Sequence, residues 1–417
     1  MEQLLFLRRE QVRRAAELYG TPLYIYSEKI LKETAKRSLA FPAPFGLTVR
    51  YAMKSNPLRQ LLQLFYREGI EIDASSGYEA VRAIRAGIKP EHILLTGQEL
   101  PADFKKLVRK GVLFNATSLR QLESYGSNFP GTAVSIRINP GLGSGGTQRT
   151  NVGGPAASFG IWHADLDRAA ELIKKYNLKV LRIHSHIGSG SDPAVWLKAA
   201  ELTLQHMDCF PEVGILNLGG GFKTARMSYE KSTDLQEIGN RIKKSLLDYH
   251  AARGRKLHLE IEPGTFLTAR AGSLVTTIHD VNNTGADGYR FLKVDAGMTD
   301  LLRPAMYGAQ HPLVVVPRSK ADKKNTLNYI VSGHCCESGD ILTPAENDPE
   351  ALKPRPLQQA DAGDFLVVEG CGAYTASMCA RNYNSFPAAA AVLLRENGKF
   401  KRVCKREKLG QIVQNEC

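Results

Sequence analysis

Four short stretches of this chain each follow an apolar, β-branched run with residues able to do chemistry: Lys54-Ser55-Asn56-Pro57, His184-Ser185-His186-Ile187-Gly188-Ser189, Gly219-Gly220-Gly221 and Glu262-Pro263-Gly264. A lysine amine held away from water loses basicity and becomes a nucleophile toward an aldehyde, which favours a Schiff base. Three consecutive glycines expose backbone N–H groups and let a phosphate come close. A carboxylic acid at the same place can hydrogen-bond a ring nitrogen and keep it protonated. Taken singly, each has a plainer alternative: a structural ion pair for Lys54, a tight turn for the glycines, a buried pair with an arginine for Glu262. Taken together they supply an amine, a phosphate cradle and an acid for an electron-sink ring, which is what pyridoxal phosphate requires.

These residues need elements that bring them to one place. From about residue 46 the chain repeats a short apolar run, a polar or glycine-rich ending and a longer segment of helical periodicity, the mark of βα units. The runs are 48–52, 70–73, 93–96, 113–115, 134–138, 180–184, 215–218 and 257–261, with helical segments such as Gly77 to Ala86 and Asp165 to Lys175 between them. Eight such units predict an α/β fold built on a closed eight-fold β/α barrel, whose reactive groups gather at the C-terminal ends of the strands. An open doubly wound sheet is the weaker alternative, because no GxGxxG opens the first βα turn. After about residue 275 short strands follow without long helices: 275–278, 289–294, 313–316, 327–331, 365–368 and 390–394. This predicts a C-terminal β-sandwich or barrel domain, with Glu396-Asn397-Gly398-Lys399 as a hairpin of type I′. Extended-type segments at Leu5-Phe6 and Tyr24-Ile25-Tyr26 are expected to join it. The expected division is a barrel over 25–274 and a β domain from 1–24 and 275–417.

Composition bounds the rest. With 417 residues, 43% hydrophobic and 23% charged, the chain has the mass and make-up of a two-domain globular protein. The longest apolar runs fall far short of the roughly 20 residues that span a bilayer. Early arginines at positions 8, 9, 13 and 14 leave no room for a secretory core. A cytoplasmic protein with no membrane partner is expected. The seven cysteines are odd in number and contain no CxxC pair, so neither a metal site nor a disulfide framework is expected from them. Lys+Arg 55 against Asp+Glu 42 gives a net charge of +13, but the one dense basic run, Lys399 to Lys408, alternates like a half-solvated strand. No nucleic-acid partner is expected.

Six motifs in order carry a family likeness. Tyr51-Ala52-Met53-Lys54-Ser55-Asn56, His186-Ile187-Gly188-Ser189, Gly219-Gly220-Gly221-Phe222, Glu262-Pro263-Gly264, Cys336-Glu337-Ser338-Gly339-Asp340 and Gly372-Ala373-Tyr374 resemble the motif set of the fold-type III, alanine-racemase-like pyridoxal-phosphate decarboxylases. Within that set, Arg137-Ile138-Asn139-Pro140, Thr150-Asn151-Val152-Gly153-Gly154, Phe159-Gly160-Ile161-Trp162 and Leu302-Arg303-Pro304-Ala305-Met306-Tyr307-Gly308 are similar to the diaminopimelate decarboxylases. The likeness runs from about Tyr24 to the hairpin near Asn397. It implies that Lys54 holds the cofactor covalently and His186 stacks on the pyridine face. Ser189, Gly219, Gly220, Gly221 and Tyr374 would reach the phosphate, Gly264 would line the cofactor, and Glu262 would bind the ring nitrogen. It implies a head-to-tail homodimer in which the Cys336-Glu337 loop enters the neighbour's active site, with Cys336 as the acid that protonates carbon after CO2 leaves. Arg303 and Tyr307 would hold the substrate's distal carboxylate and Glu337 its distal ammonium, with Tyr374 and Arg149 as further substrate-binding residues. The implied reaction is decarboxylation of meso-2,6-diaminopimelate to L-lysine.

One position departs from the family. Arginine is usual after Glu-Pro-Gly, where it helps fix the substrate carboxylate, and here the residue is Thr265. Losing a bidentate charged fork costs about 1 to 3 kcal/mol of binding unless something compensates. Arg149 or Arg270 could compensate, or the substrate could lack that carboxylate, as D-ornithine and D-lysine do. A racemase would need a second base opposite the lysine, and Cys336-Glu337 speaks against it. A regulator that binds the cofactor without turnover is the remaining rival.

Overall fold

The computed structural model describes residues 2–145, 148–189, 192–319 and 325–417. They form two compact units, one from 32–224 and 231–267, the other from 1–31, 225–230 and 268–417.

The first unit is the β/α barrel. Its strands are Leu47–Ala52 (β1), Glu71–Ala74 (β2), Ile93–Leu95 (β3), Leu113–Ala116 (β4), Ala133–Asn139 (β5), Lys179–His184 (β6), Ile215–Asn217 (β7) and His258–Ile261 (β8). Each pairs in parallel with the next, β8 returns to β1, and the ring is complete. All eight lie on the runs expected from sequence. Strands buried on both faces select continuous β-branched and leucine residues, so they are recognisable without tertiary information. Helices start where a side chain can satisfy the first orphan N–H groups. Ser76 accepts from Glu79 N while Glu79 accepts from Ser75 N, and Ser118 accepts from Gln121 N while Gln121 accepts from Thr117 N. Each is a reciprocal cap that fixes a βα turn.

Inside the ring, strand alternation stacks side chains in layers. In one layer Arg50 of β1 and Arg182 of β6 both clamp Glu260 of β8, with N···O distances of 2.6 to 3.2 Å, and Arg182 also donates to Ser135 of β5. Two guanidiniums hold Glu260 down to about 2 despite its burial. Two residues further along the same strands come Ala52, His184 and Glu262, and two further again Lys54 and His186. The polar interior below thus sets the height and direction of the groups at the mouth.

The second unit is built on a sheet in the order Arg355–Gln358, Thr326–Ser332, Arg290–Val294, Gly272–Asn283, Leu23–Ser27, Ala390–Leu394, Phe400–Cys404, with Leu313–Val316 paired to Phe365–Val368 and the latter to Gly272–Asn283. Leu23–Ser27 lies between Gly272–Asn283, antiparallel, and Ala390–Leu394, parallel. The N-terminal segment therefore belongs to this sheet, and the barrel is an insertion within it. The division falls after Leu31 rather than after residue 24, since Tyr26 and Ser27 are still paired in the sheet. Leu23, Ile25, Val275, Val367, Val392 and Leu394 form one core with Val12, Ala15 and Ala16 of the helix Arg9–Tyr19. Each buried Val or Leu there contributes about 1.5–3 kcal/mol.

The hairpin at Asn397 exists, but its turn is not type I′. Only Gly398 has positive φ, at 77°, and Arg395 and Lys399 close a three-residue loop through Gly398 N to Arg395 O and Arg395 N to Lys399 O. Type I′ needs positive φ at both central residues, whereas a type I turn followed by one left-handed glycine needs it once. Asn397 instead uses its side chain, which accepts from Lys399 N. Among the described residues no helix is long and apolar enough to cross a membrane.

Candidate active site

The barrel mouth gathers the residues expected there. Lys54 follows β1 in a short 3-10 turn, Met53–Ser55, pinned by Ser55 Oγ to Ala52 O at 2.9 Å and by Tyr51 Oη to Asn56 O at 2.9 Å. Its Nζ lies 3.9 Å from Asp73 Oδ2 at the end of β2. The expected desolvation of this amine is not found: the Lys54 side chain is 41% exposed, because the turn lifts it off the strand into the open mouth. Asp73 itself is buried, and burial raises its carboxyl against the pull of Lys54.

Glu262 at the end of β8 is buried, and its surroundings are unlike those of Glu260. Asn217 Nδ2 donates to its Oε1 at 2.7 Å, and His184 Nε2 stands 3.5 Å from Oε2. Among the described residues no arginine forms an ion pair with it, so the arginine-paired alternative belongs to Glu260. Burial, followed by the neighbouring Asp73 charge, pushes Glu262 up to about 8. His184 Nδ1 is 2.8 Å from Asn115 Nδ2, an amide that can only donate, which leaves the His184 proton on Nε2 facing Glu262. Burial and the Arg137 charge keep this imidazole neutral, well below its ordinary range.

His186, two residues on, has a buried Nδ1 with no partner among the described residues. Its backbone oxygen accepts from Arg137 Nη2 at 3.3 Å, and the Arg137 guanidinium lies 4.9 Å from the Phe159 ring centre. The loop continues to Ser189, whose N donates to Thr150 O, and Gly188 bridges Asn151. The glycine run is packed from both sides. Gly219 has φ of 64°, and a Cβ there would lie 2.7 Å from His186 Cβ; one on Gly220 would lie 2.4 Å from Glu262 O. Gly219 N donates to Asn217, while the N–H groups of Gly220 and Gly221 find no acceptor among the described residues. Gly264 closes against Ala52 and Ser55 of the lysine turn, at 3.3 and 3.2 Å for an added Cβ. Thr265 opens a short helical turn, and Arg149 is exposed on the turn Gln148–Thr150.

The β unit holds the remaining expected residues. Asp340 organises the Cys336 loop: its Oδ2 accepts from Cys335 N at 2.9 Å and its Oδ1 from Met298 N at 2.6 Å. Cys335 and Cys336 have opposite surroundings. The Cys335 thiol is buried, and burial with the Asp340 charge pushes it up to about 12, whereas Cys336 is exposed with its N donating to Asn384. Glu337 is exposed and borders an open groove of about 520 Å³ that Arg381 and Tyr383 also line. Arg303 and Tyr307 share one helical turn, Arg303–Tyr307, with the guanidinium 5.9 Å from the ring centre. Arg303 Nε is buried with no partner among the described residues. Tyr374 stands in a left-handed conformation, φ 54°, after Gly372, where a Cβ would strike Thr268 O at 1.7 Å. Arg270 is exposed.

The description "Pyridoxal-dependent decarboxylase, pyridoxal binding domain" matches residues 28–269, more than half of the chain. The chain belongs to this decarboxylase family. A diaminopimelate decarboxylase of Buchnera aphidicola subsp. Baizongia pistaciae is 33% identical over 408 residues, 95% of this chain and 94% of that protein. That of Escherichia coli strain K12 is 32% identical over 418 residues, 98% and 96% respectively. A crystal structure of diaminopimelate decarboxylase superposes with a TM-score of 0.90 at 31% identity, covering 99% of both chains. The protein is thus a pyridoxal-phosphate-dependent amino-acid decarboxylase.

The residues at this decarboxylase's barrel mouth fit that cofactor. Two consecutive glycine N–H groups have no acceptor among the described residues and can take an anion, the Lys54 side chain is part exposed, and Glu262 retains a proton at neutral pH. Lys54, His186, the glycines and Glu262 were accessible to sequence reasoning because they end barrel strands. Asp73 obeys the same rule and was missed, as was Asn217, whose side chain joins the glycine loop to Glu262 and also donates to Glu260. Arg137 was noted only within a motif, although it supports His186.

Proposed function

We propose that this enzyme decarboxylates meso-2,6-diaminopimelate to L-lysine and CO2, acting as a homodimer with shared active sites in the cytoplasm. The observation that carries the substrate assignment is Arg303, whose buried Nε has no partner of its own beside Tyr307. A guanidinium kept out of water needs an anion, and a distal carboxylate supplies one where a plain diamine acid would not. The extent of the likeness to diaminopimelate decarboxylases supports the same reading. Among the described residues no disulfide joins the cysteines, as a reducing compartment would have them.

The chain's own groups divide the work. Bound pyridoxal phosphate supplies the electron sink for the electrons left when CO2 departs. Lys54 Nζ is the amine that holds the cofactor, and Gly219, Gly220, Gly221, Ser189 and Tyr374 take its phosphate. Gly264 lines the ring. Glu262 keeps its proton where a ring nitrogen can share it, a state that burial and Asp73 already impose and that Asn217 and His184 orient. His186 would cover one face of the cofactor ring and leave the other to the substrate. Arg303 and Tyr307 grip the distal carboxylate and Glu337 the distal ammonium. Cys336 Sγ delivers a proton to the carbon that has lost CO2. An exposed thiol can reach a site in the facing chain, whereas Cys335 is fixed against Asp340 and cannot.

Following CO2 release from meso-diaminopimelate, D-lysine, D-ornithine, L-ornithine and L-arginine side by side tests the assignment. The expected result is preference for meso-diaminopimelate. A preference for any substrate without a distal carboxylate overturns it and leaves fold and cofactor untouched.

A further inference from the structure

Arg226 is a second half-buried arginine that carries a buried, unpartnered guanidinium nitrogen and forms no ion pair among the described residues. It sits five residues beyond the glycine run, in the segment Ala225–Glu230 that belongs to the β unit. Its Nε donates to Gly370 O at 3.0 Å, and Gly370, with φ of 69°, leaves room for it: a Cβ there would lie 3.0 Å from Arg226 Cγ. This contact fixes the side chain while leaving Nη2 buried and unpartnered among the described residues. Arg303 in the same unit is, after burial itself, the leading charge that lowers Arg226, and the same phenol and carboxyl groups, Tyr374 and Glu230, act on both arginines. Glu230, a carboxylate that acts on both, already accepts from the backbone N–H groups of Arg226 and Met227. Tyr374 and Tyr307 face the same charges with phenol groups, and His311 beside them is held neutral by burial and by these two arginines.

Two like-charged guanidiniums, each with a nitrogen held from water and unpartnered among the described residues, are stabilised by an anion that both can reach. Each presents an N–H with no acceptor. A carboxylate, flat and bidentate, matches two such forks better than a chloride or a water does. We propose that Arg226 and Arg303 together form the subsite for the distal carboxylate of the substrate, so that Arg226 performs the task left open by Thr265. Arg149 and Arg270, the other arginines considered for it, are both exposed. The inference rests on the substrate reading above, since a substrate without that carboxylate would leave both arginines uncompensated.

The test uses L-lysine and cadaverine, two amines that differ by one carboxylate, as inhibitors of the holoenzyme. In Arg226→Gln, the inhibition constant for L-lysine and the KM for meso-diaminopimelate are expected to rise about 10- to 100-fold, while cadaverine inhibits as in wild type. Arg226→Lys should recover part of the loss for L-lysine, since it restores charge without the fork. Equal weakening of L-lysine and cadaverine, with a lower Tm, overturns the proposal and makes Arg226 a strut for Gly370. Weaker retention of pyridoxal phosphate with unchanged L-lysine inhibition also overturns it and assigns the guanidinium to the cofactor phosphate. Unchanged constants throughout overturn it outright. A wild-type enzyme inert toward meso-diaminopimelate defeats the substrate reading instead, a result visible before any variant is made.

Discussion

Two glutamates two residues apart on one strand show how neighbours decide what a carboxyl group does. Glu260 is gripped by Arg50 and Arg182 and stays ionised; Glu262 has Asn217, a neutral imidazole and the Asp73 charge, and holds its proton. The consequence is measurable in the cofactor-free protein. A carboxyl raised from its ordinary value of 4.5 to about 8 binds a proton in the folded state that the unfolded chain has released. Folding is therefore favoured most below the unfolded value, and stability falls as pH rises toward 8, by at most about 1.4 kcal/mol per pH unit. Glu262→Gln removes this dependence, and denaturant unfolding at pH 5, 6.5 and 8 should show a flatter profile than wild type. An equally steep profile in the variant would mean that Glu262 is not the group titrating. The adjacent cysteines permit a second contrast. Cys336→Ala should lower kcat by about 10²-fold or more, the usual worth of a positioned acid, with little change in KM. Cys335→Ala should keep its turnover and lose about 1 kcal/mol of stability as a small buried group is trimmed. Reversal of the two phenotypes in a steady-state assay would move the proton donor one residue back.

At the scale of elements, the glycine run after β7 links cofactor binding to barrel geometry. Gly219 combines positive φ with a Cβ position 2.7 Å from His186 Cβ and 2.8 Å from its Nδ1. Gly219→Ala should push the imidazole aside and weaken retention of pyridoxal phosphate at least about tenfold, since both conformational strain and a clash fall on the cradle. Gly214→Ala, just before β7 with open space around it, is the control that should leave retention and Tm unchanged; equal effects of the two would deny the cradle any special geometry. This part of the site was legible because parallel strands advertise themselves as β-branched runs, and what ends them is read off directly. Other parts were not. The helix Arg9–Tyr19 buries only Val12, Ala15 and Ala16 amid charged residues, too narrow a stripe to stand out from an extended lead-in. Arg226 lies in a polar loop with no periodicity, and nothing in its neighbours signals that Ala225–Glu230 joins the β unit. Asn397-Gly398 announced a hairpin correctly, but the dipeptide permits two turn geometries, and the loop closed by Arg395 and Lys399 takes the one with a single left-handed glycine.

For the whole molecule, the question is whether one chain suffices. The Cys336-Glu337 loop is fixed from behind by Asp340 and left exposed in front, beside an open groove. Rigid support under a reactive, solvent-facing pair is what a group needs if it serves a facing chain rather than its own. Co-expression of two inactive variants with different affinity tags, Lys54→Ala and Cys336→Ala, followed by tandem purification, isolates mixed dimers. In a head-to-tail arrangement with shared sites, one site of such a dimer carries both substitutions and the other carries neither. The mixed dimer should then regain about half the wild-type kcat per dimer, while each parent stays near background. If each chain instead built its site alone, both sites of the mixed dimer would keep one defect and CO2 release would remain at background. If the protein were a monomer, no doubly tagged species would survive purification. Recovered turnover cannot come from refolding or contamination by either parent, because neither variant carries an intact pair, so the gas released counts sites assembled across the interface.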